Sequence, residues 1–160
     1  MKVSDTFIPG PGVGHLLLGR VGWVGTDARE GEVMTATPVL LILAVEDVSR
    51  AKAFYVAAFG WPVEVDVPVY LEMAPPGGLR VGIYERRAFG RNTGRVPMPI
   101  PPGELSPAEV YLRVDDLAGA CARLERAGAR LLSAASPREW GDTVAYYADP
   151  DGHVLAVARV

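Results

Sequence analysis

Hydrophobic and polar positions divide the chain into short apolar runs and two amphipathic stretches. Val39 to Val45 (VLLILAV) is a continuous apolar run of strand length, rich in branched residues. That pattern predicts a strand covered on both faces. Asp47 follows and offers a carboxylate to the free amides of a helix start. Ala51, Phe54, Tyr55 and Ala58 recur at helical spacing, so a helix is expected from about Val48 to Phe59. Gly60 ends it and Pro62 prevents it from resuming. Strands are predicted over Val63–Val67, Val69–Met73 and Leu79–Tyr84, with Pro75-Pro76-Gly77-Gly78 turning between the last two. Pro97, Pro99, Pro101, Pro102 and Pro107 then exclude regular helix and central strand. Residues 91–107 read as a linker.

The same order returns beyond the prolines. Glu109 to Val114 predicts a strand, Asp116 a cap, Leu117 to Ala127 a helix, and Gly128 its stop. Strands are expected at residues 129–133, Val144–Tyr147 and Val154–Val160, the last two joined by the tight turn Asp149-Pro150-Asp151-Gly152. Leu43 aligns with Leu112, Val45 with Val114, Asp47 with Asp116 and Ala51 with Ala120, at a constant offset from residue 43 to residue 112. Each copy reads strand, cap, helix, stop, three strands. One copy would bury too little apolar surface to stand alone. Two copies, about 38–90 and 108–160, would share a core, with helices on one sheet face and a concave surface on the other.

Residues 1–37 differ from the rest. Gly10, Gly12, Gly14, Gly19, Gly22, Gly25 and Gly31, with Pro9 and Pro11, interrupt every possible helix. This segment is expected to be an arm, with at most an edge strand at His15-Leu16-Leu17-Leu18. Met34 opens a stretch that reads as a natural start, so residues 1–33 are expected to be either disordered or non-native.

Composition narrows the function classes. About half the residues are hydrophobic and the net charge is −3 with signs intermixed, so a packed core is expected and a basic stripe for nucleic acid is missing. Apolar stretches fall short of the roughly 20 residues needed to cross a bilayer. No signal peptide is read at the N-terminus. The single cysteine, Cys121, permits no intrachain disulfide, which makes a cytoplasmic home the simplest expectation.

Three segments, LAVEDVSRAKAFY at 43–55, LRVDDLAGACARL at 112–124 and YYADPDGHVLAVA at 146–158, resemble the vicinal oxygen chelate superfamily: glyoxalase I, the bleomycin resistance proteins and the extradiol dioxygenases. The resemblance implies an α+β fold of two βαβββ modules forming a curled mixed sheet around a cavity, helices outside, often as a homodimer with pockets near its interface. In its enzymes a divalent metal acts as a Lewis acid, held by His, Glu or Gln on the first and fourth strands of each module. Carried over one at a time, those positions fall on Leu40, Gly82, Glu109 and Ala156. One carboxylate of four does not make a metal site, and a register slip of one brings in no further ligand. No metal or other cofactor is expected.

Strand alternation places Glu109, Tyr111 and Arg113 on one face, and Arg80, Gly82 and Tyr84 on another. Leu40, Ile42, Val154 and Ala156 complete the expected lining, and Trp140 could form a lid. An apolar floor with two tyrosines, two arginines and a carboxylate suits an organic ligand, and an unpaired Arg80 or Arg113 suits a planar anion. Against this, Glu109 could pair with Arg80 or Arg113 and close the site. His153 is expected to face away from the cavity, Asp149 and Asp151 to form the turn, Trp61 to plug a core edge, and Cys121 to be buried without reactivity. The expected function is a small-molecule binding protein like those of antibiotic resistance, holding an aromatic or partly anionic compound. The alternatives are a lyase, isomerase or dioxygenase-type enzyme with Glu109 as base or metal ligand, or an accessory subunit.

Overall fold

The computed structural model describes residues 36–160; the expectations for the arm, including a strand at His15–Leu18, lie outside them. Both caps and both stops form where the side-chain chemistry demands. Strand β1 (Leu40–Val45) leads into helix α1 (Val48–Phe59), where the Asp47 carboxylate accepts from the Arg50 amide at 3.0 Å. In the second copy, β5 (Glu109–Arg113) leads into α3 (Leu117–Ala127), and Asp116 accepts from the Gly119 amide at 2.9 Å. Gly60 and Gly128 end the helices at φ 65° and 95°, a left-handed conformation that glycine reaches without a Cβ penalty.

Each helix is followed by three strands: β2 (Val63–Val67), β3 (Tyr70–Met73) and β4 (Arg80–Glu85), then β6 (Arg130–Pro137), β7 (Thr143–Ala148) and β8 (Val154–Arg159). They form two four-stranded sheets of the same topology, β1-β4-β3-β2 and β5-β8-β7-β6, with the first pair parallel and the others antiparallel. The fold is therefore α+β with two βαβββ modules. Among the described residues the strands make two separate sheets, and β1 and β5 each lie at an edge.

One face of each sheet packs on the helices. Leu43, Val45, Leu71, Met73, Val81 and Ile83 join Leu155, Val157, Ala145 and Tyr147 in one core with Phe54, Tyr55 and Leu124 of α1 and α3. The helices also pack on one another, so a single core spans both modules. β1 departs from its sequence reading. Leu43 and Val45 are buried, but Leu40 is exposed and Ile42 and Ala44 are half-buried. Among the described residues, one face of this strand is covered.

A third helix, α2 (Arg86–Thr93), precedes the prolines. Its sequence, RRAFGRNT, has no apolar stripe, and eight residues are too few for a helix to persist on propensity. Tertiary contacts hold it. The Glu85 carboxylate accepts from the Arg87 and Ala88 amides at 3.0 and 2.6 Å, Ala88 is fully buried, and Gly90 leaves room for the Val96 backbone. The segment 91–107 thus begins with the last turn of a helix.

The DPDGH turn does more than reverse the chain. The Asp149 side chain accepts from the Tyr55 hydroxyl at 2.9 Å and from the backbone amides of Asp151 and His153 at 2.9 and 2.8 Å, and the His153 Nδ1 lies 3.0 Å away. Asp151 Oδ1 accepts from the Glu46 amide at 2.9 Å and from Arg50 at 2.8 Å. A turn of the second module is thereby fastened to the start of α1 in the first. Burial pushes the Asp149 carboxyl up, but the hydrogen bond and charge of His153, its amide and the Tyr55 hydroxyl outweigh burial and hold it below the usual aspartate value. Among the described residues no helix is long and apolar enough to cross a membrane.

Candidate functional site

The sheet faces turned away from the helices carry the candidate chemistry, and each is set by strand register. On the first sheet, Leu40 lies beside Arg80, Ile42 beside Gly82 and Ala44 beside Tyr84. Glu72 lies on the other side of Gly82, and Tyr70 on the other side of Tyr84. On the second, Glu109 lies beside Val154, Tyr111 beside Ala156 and Arg113 beside Ala158, with Tyr146 flanking Ala156 from β7. The predicted residues therefore divide into two groups, one per module.

The first face is internally paired. Glu72, nearly buried, accepts from the Tyr70 hydroxyl and from Arg80, both at 2.6 Å, and Arg80 also reaches Glu64 at 3.2 Å. The Tyr70 hydrogen bond, then Arg80, holds the Glu72 carboxyl below the usual glutamate range. Burial and the Glu72 contact push the Tyr70 phenol up to about 12. Tyr70 packs edge-on against Tyr84, with centroids 5.3 Å apart. Arg80 thus pairs with Glu72 and Glu64, and Glu109 has no ion-pair partner among the described residues.

Gly82 is the position at which a fourth-strand metal ligand would project. A Cβ there would meet the Tyr70 hydroxyl at 2.9 Å, its ring at 3.1 Å and Ile42 at 3.2 Å. The phenol occupies the space. Gly82→Val is expected to cost about 1–3 kcal/mol through overpacking. Urea unfolding would measure it, and a Tyr70→Ala background should relieve most of the loss.

The second face is more open. Its floor is Ala156 and Ala158, both fully buried, beside the half-buried Val154. Over it stand Tyr111, Tyr146, Trp140 and Arg138, whose guanidinium lies 5.1 Å from the Tyr146 ring centroid. The Tyr111 hydroxyl donates to Asp142 at 2.6 Å and receives the Trp140 indole N–H at 3.4 Å. The Asp142 hydrogen bond raises the Tyr111 phenol above its ordinary value. Arg113 reaches Asp142 only at 3.8 Å, and its side chain is 71% exposed. Trp140 is 61% exposed.

Glu72, Tyr70, Asp142, Tyr146 and Arg138 were missing from the sequence reading. Alternation along Tyr70-Leu71-Glu72-Met73 carried a signal for the first two, since Leu71 and Met73 point to the core. Asp142 sits in a polar loop, and nothing local marks it. Trp61 stacks on Phe59 at 4.3 Å and packs against the core, whereas Cys121 is half-buried beside it. Among the described residues, sizeable clefts lie elsewhere. One of about 660 Å³ separates the proline segment from the DPDGH turn, and outer grooves of about 690 and 580 Å³ run beside α1 and α3.

The four positions implied for a divalent metal do not fit one. Leu40, Gly82 and Ala156 have no donor side chain, Glu109 stands alone at its strand end, and among the described residues no three His, Cys, Asp or Glu side chains converge.

A family model described as Glyoxalase/Bleomycin resistance protein/Dioxygenase superfamily matches residues 36–157. No curated protein matches the chain. Among solved structures, the chain is similar to a glyoxalase-related enzyme from Fulvimarina pelagi, with 22% identity and a TM-score of 0.71 over 79% of this chain and 89% of that one. It is also similar to a glyoxalase/bleomycin resistance protein/dioxygenase from Nocardioides, with 18% identity and a TM-score of 0.68 over 81% and 87% of the two chains. A family enzyme from Burkholderia phytofirmans PsJN gives 20% identity and a TM-score of 0.63 over 78% and 99%. At these identities the likeness speaks for the fold.

Proposed function

The chain belongs to the Glyoxalase/Bleomycin resistance protein/Dioxygenase superfamily, and from that premise we propose that it is a binding protein, holding an aromatic, partly anionic organic compound without a metal. The observation that carries this reading is the open face of the second sheet. There exposed Trp140, Tyr111 and Arg113 stand over the fully buried Ala156 and Ala158, so the accessible surface is aromatic with a few polar groups. Three of the four positions that would hold a metal, Leu40, Gly82 and Ala156, have no donor side chain, so affinity comes from stacking and charge. A second copy of the chain would close the face into a cavity. The edge positions of β1 and β5 among the described residues and the exposed Val39 and Leu40 support that arrangement.

The test is thermal stability of the chelator-treated protein, titrated first with Zn²⁺, Ni²⁺, Mn²⁺ and Fe²⁺ and then with aromatic carboxylates. A ligand at about 100 times its dissociation constant adds roughly 2.7 kcal/mol, a midpoint rise of several degrees for a domain of this size. The expected result is no rise with any metal, a saturable rise with an organic ligand, and recovery of that ligand unchanged. A metal-dependent rise abolished by Glu109→Ala would overturn the reading.

A further inference from the structure

We propose that the open face of the second sheet selects an aromatic zwitterion, its cationic end at Glu109 and its anionic end at Arg113. This inference rests on the binding-protein reading and assigns the ligand's chemistry and direction.

The register supplies the geometry. Glu109, Tyr111 and Arg113 alternate along β5 onto one face, paired row by row with Val154, Ala156 and Ala158 of β8. The two charged residues sit four positions apart, about 13 Å along a strand. Between them lie Tyr111 and, across the alanine floor, Tyr146, with Trp140 bonded to Tyr111 from the loop above. A flat aromatic body fits that middle row by stacking.

The charges at the two ends are available. Glu109 is exposed and has no ion-pair or hydrogen-bond partner among the described residues. Arg113 is mostly exposed, and its contact to Asp142 is long. Asp142 is instead engaged tightly by the Tyr111 hydroxyl. The other cation of this face, Arg138, lies over the Tyr146 ring. The first sheet offers no such pair, because Arg80 is held by both Glu72 and Glu64. The two modules therefore present different surfaces despite their repeat, and among the described residues the second carries a carboxylate without an ion-pair partner and, four positions on, an arginine whose one ion-pair contact is 3.8 Å long.

The probe is a rigid biphenyl bearing a carboxylate on one para carbon and an aminomethyl group on the other. Calorimetry on the full chain compares it with the biphenyl carboxylate and the biphenyl methylamine. The zwitterion is expected to bind roughly tenfold tighter than either relative, the gain of one added charge-assisted contact. Glu109→Gln should reduce it to the affinity of the carboxylate and leave the carboxylate itself unchanged. Arg113→Gln should reduce it to the affinity of the amine. Trp140→Ala should weaken all three alike. Equal affinities for the three probes, or no response to the two charge variants, would overturn the inference while leaving an aromatic site standing. Probe binding that falls as the chain self-associates would also overturn it, by showing that a second copy fills this face instead of closing it into a cavity. If no biphenyl binds, the inference fails, and the broader carboxylate titration decides the binding-protein reading on its own.

Discussion

Asp149→Ala is expected to lower the stability of the domain by about 3–5 kcal/mol, the range for removing one partner from a buried charged network. The Asp149 side chain is fully buried and serves four donors, from Tyr55, Asp151 and His153. Its loss leaves the Tyr55 hydroxyl, itself 1% exposed, without a partner in an apolar core. It also frees the turn that fastens the second module to α1. Chemical denaturation monitored by far-UV circular dichroism measures the change. A loss below about 1 kcal/mol would show that the turn contributes little beyond its backbone geometry.

The same carboxylate should set part of the acid limb. Its folded value lies below the ordinary one, so the unfolded chain takes up the proton first as pH falls. The stabilisation is present above the unfolded value, about pH 4, and disappears as pH drops through the folded value. Asp149→Asn should flatten that part of the stability profile. An unchanged acid limb in Asp149→Asn would assign it to other carboxylates, Glu72 foremost.

Leu124→Ala is expected to cost about 2–5 kcal/mol. Leu124 is fully buried on α3, in the core that contains Phe54 and Tyr55 of α1. The side chain is thus part of the seam between modules. Because one core spans both halves, the variant should lower a single transition, with near-UV and far-UV signals moving together. Two resolved transitions, with only the second module weakened, would mean that the modules fold separately.

Much of this architecture is legible in local chemistry. An aspartate before a helical stripe and a glycine after it mark the limits of α1 and α3, because capping involves neighbours within a turn. The repeat is legible for the same reason, since each copy carries its own cap, stripe and stop. α2 is not legible, because its charged sequence has no stripe and it owes its helix to Glu85, Ala88 and the crossing chain at Val96. Site residues divide along the same line. Glu109, Tyr111 and Arg113 follow from alternation on one strand. The partners that decide whether a charge is available come from other strands and loops, as Glu72 and Glu64 do for Arg80 and Asp142 does for Tyr111.

By itself the sequence determined the two modules, the helices α1 and α3 and the lack of a donor side chain at three of the four implied metal positions, all consequences of residue type and short-range spacing. Only the tertiary structure decided that the strands form two sheets joined through their helices, that Tyr70 fills the space above Gly82, and that Arg80 is spent on carboxylates while Arg113 stays largely free. It also turned Asp149 and Asp151 from turn residues into a fastening on residues about a hundred positions away. Hydrogen bonds and ion pairs act over a few ångströms of space, and which groups come that close is settled by packing rather than by order along the chain.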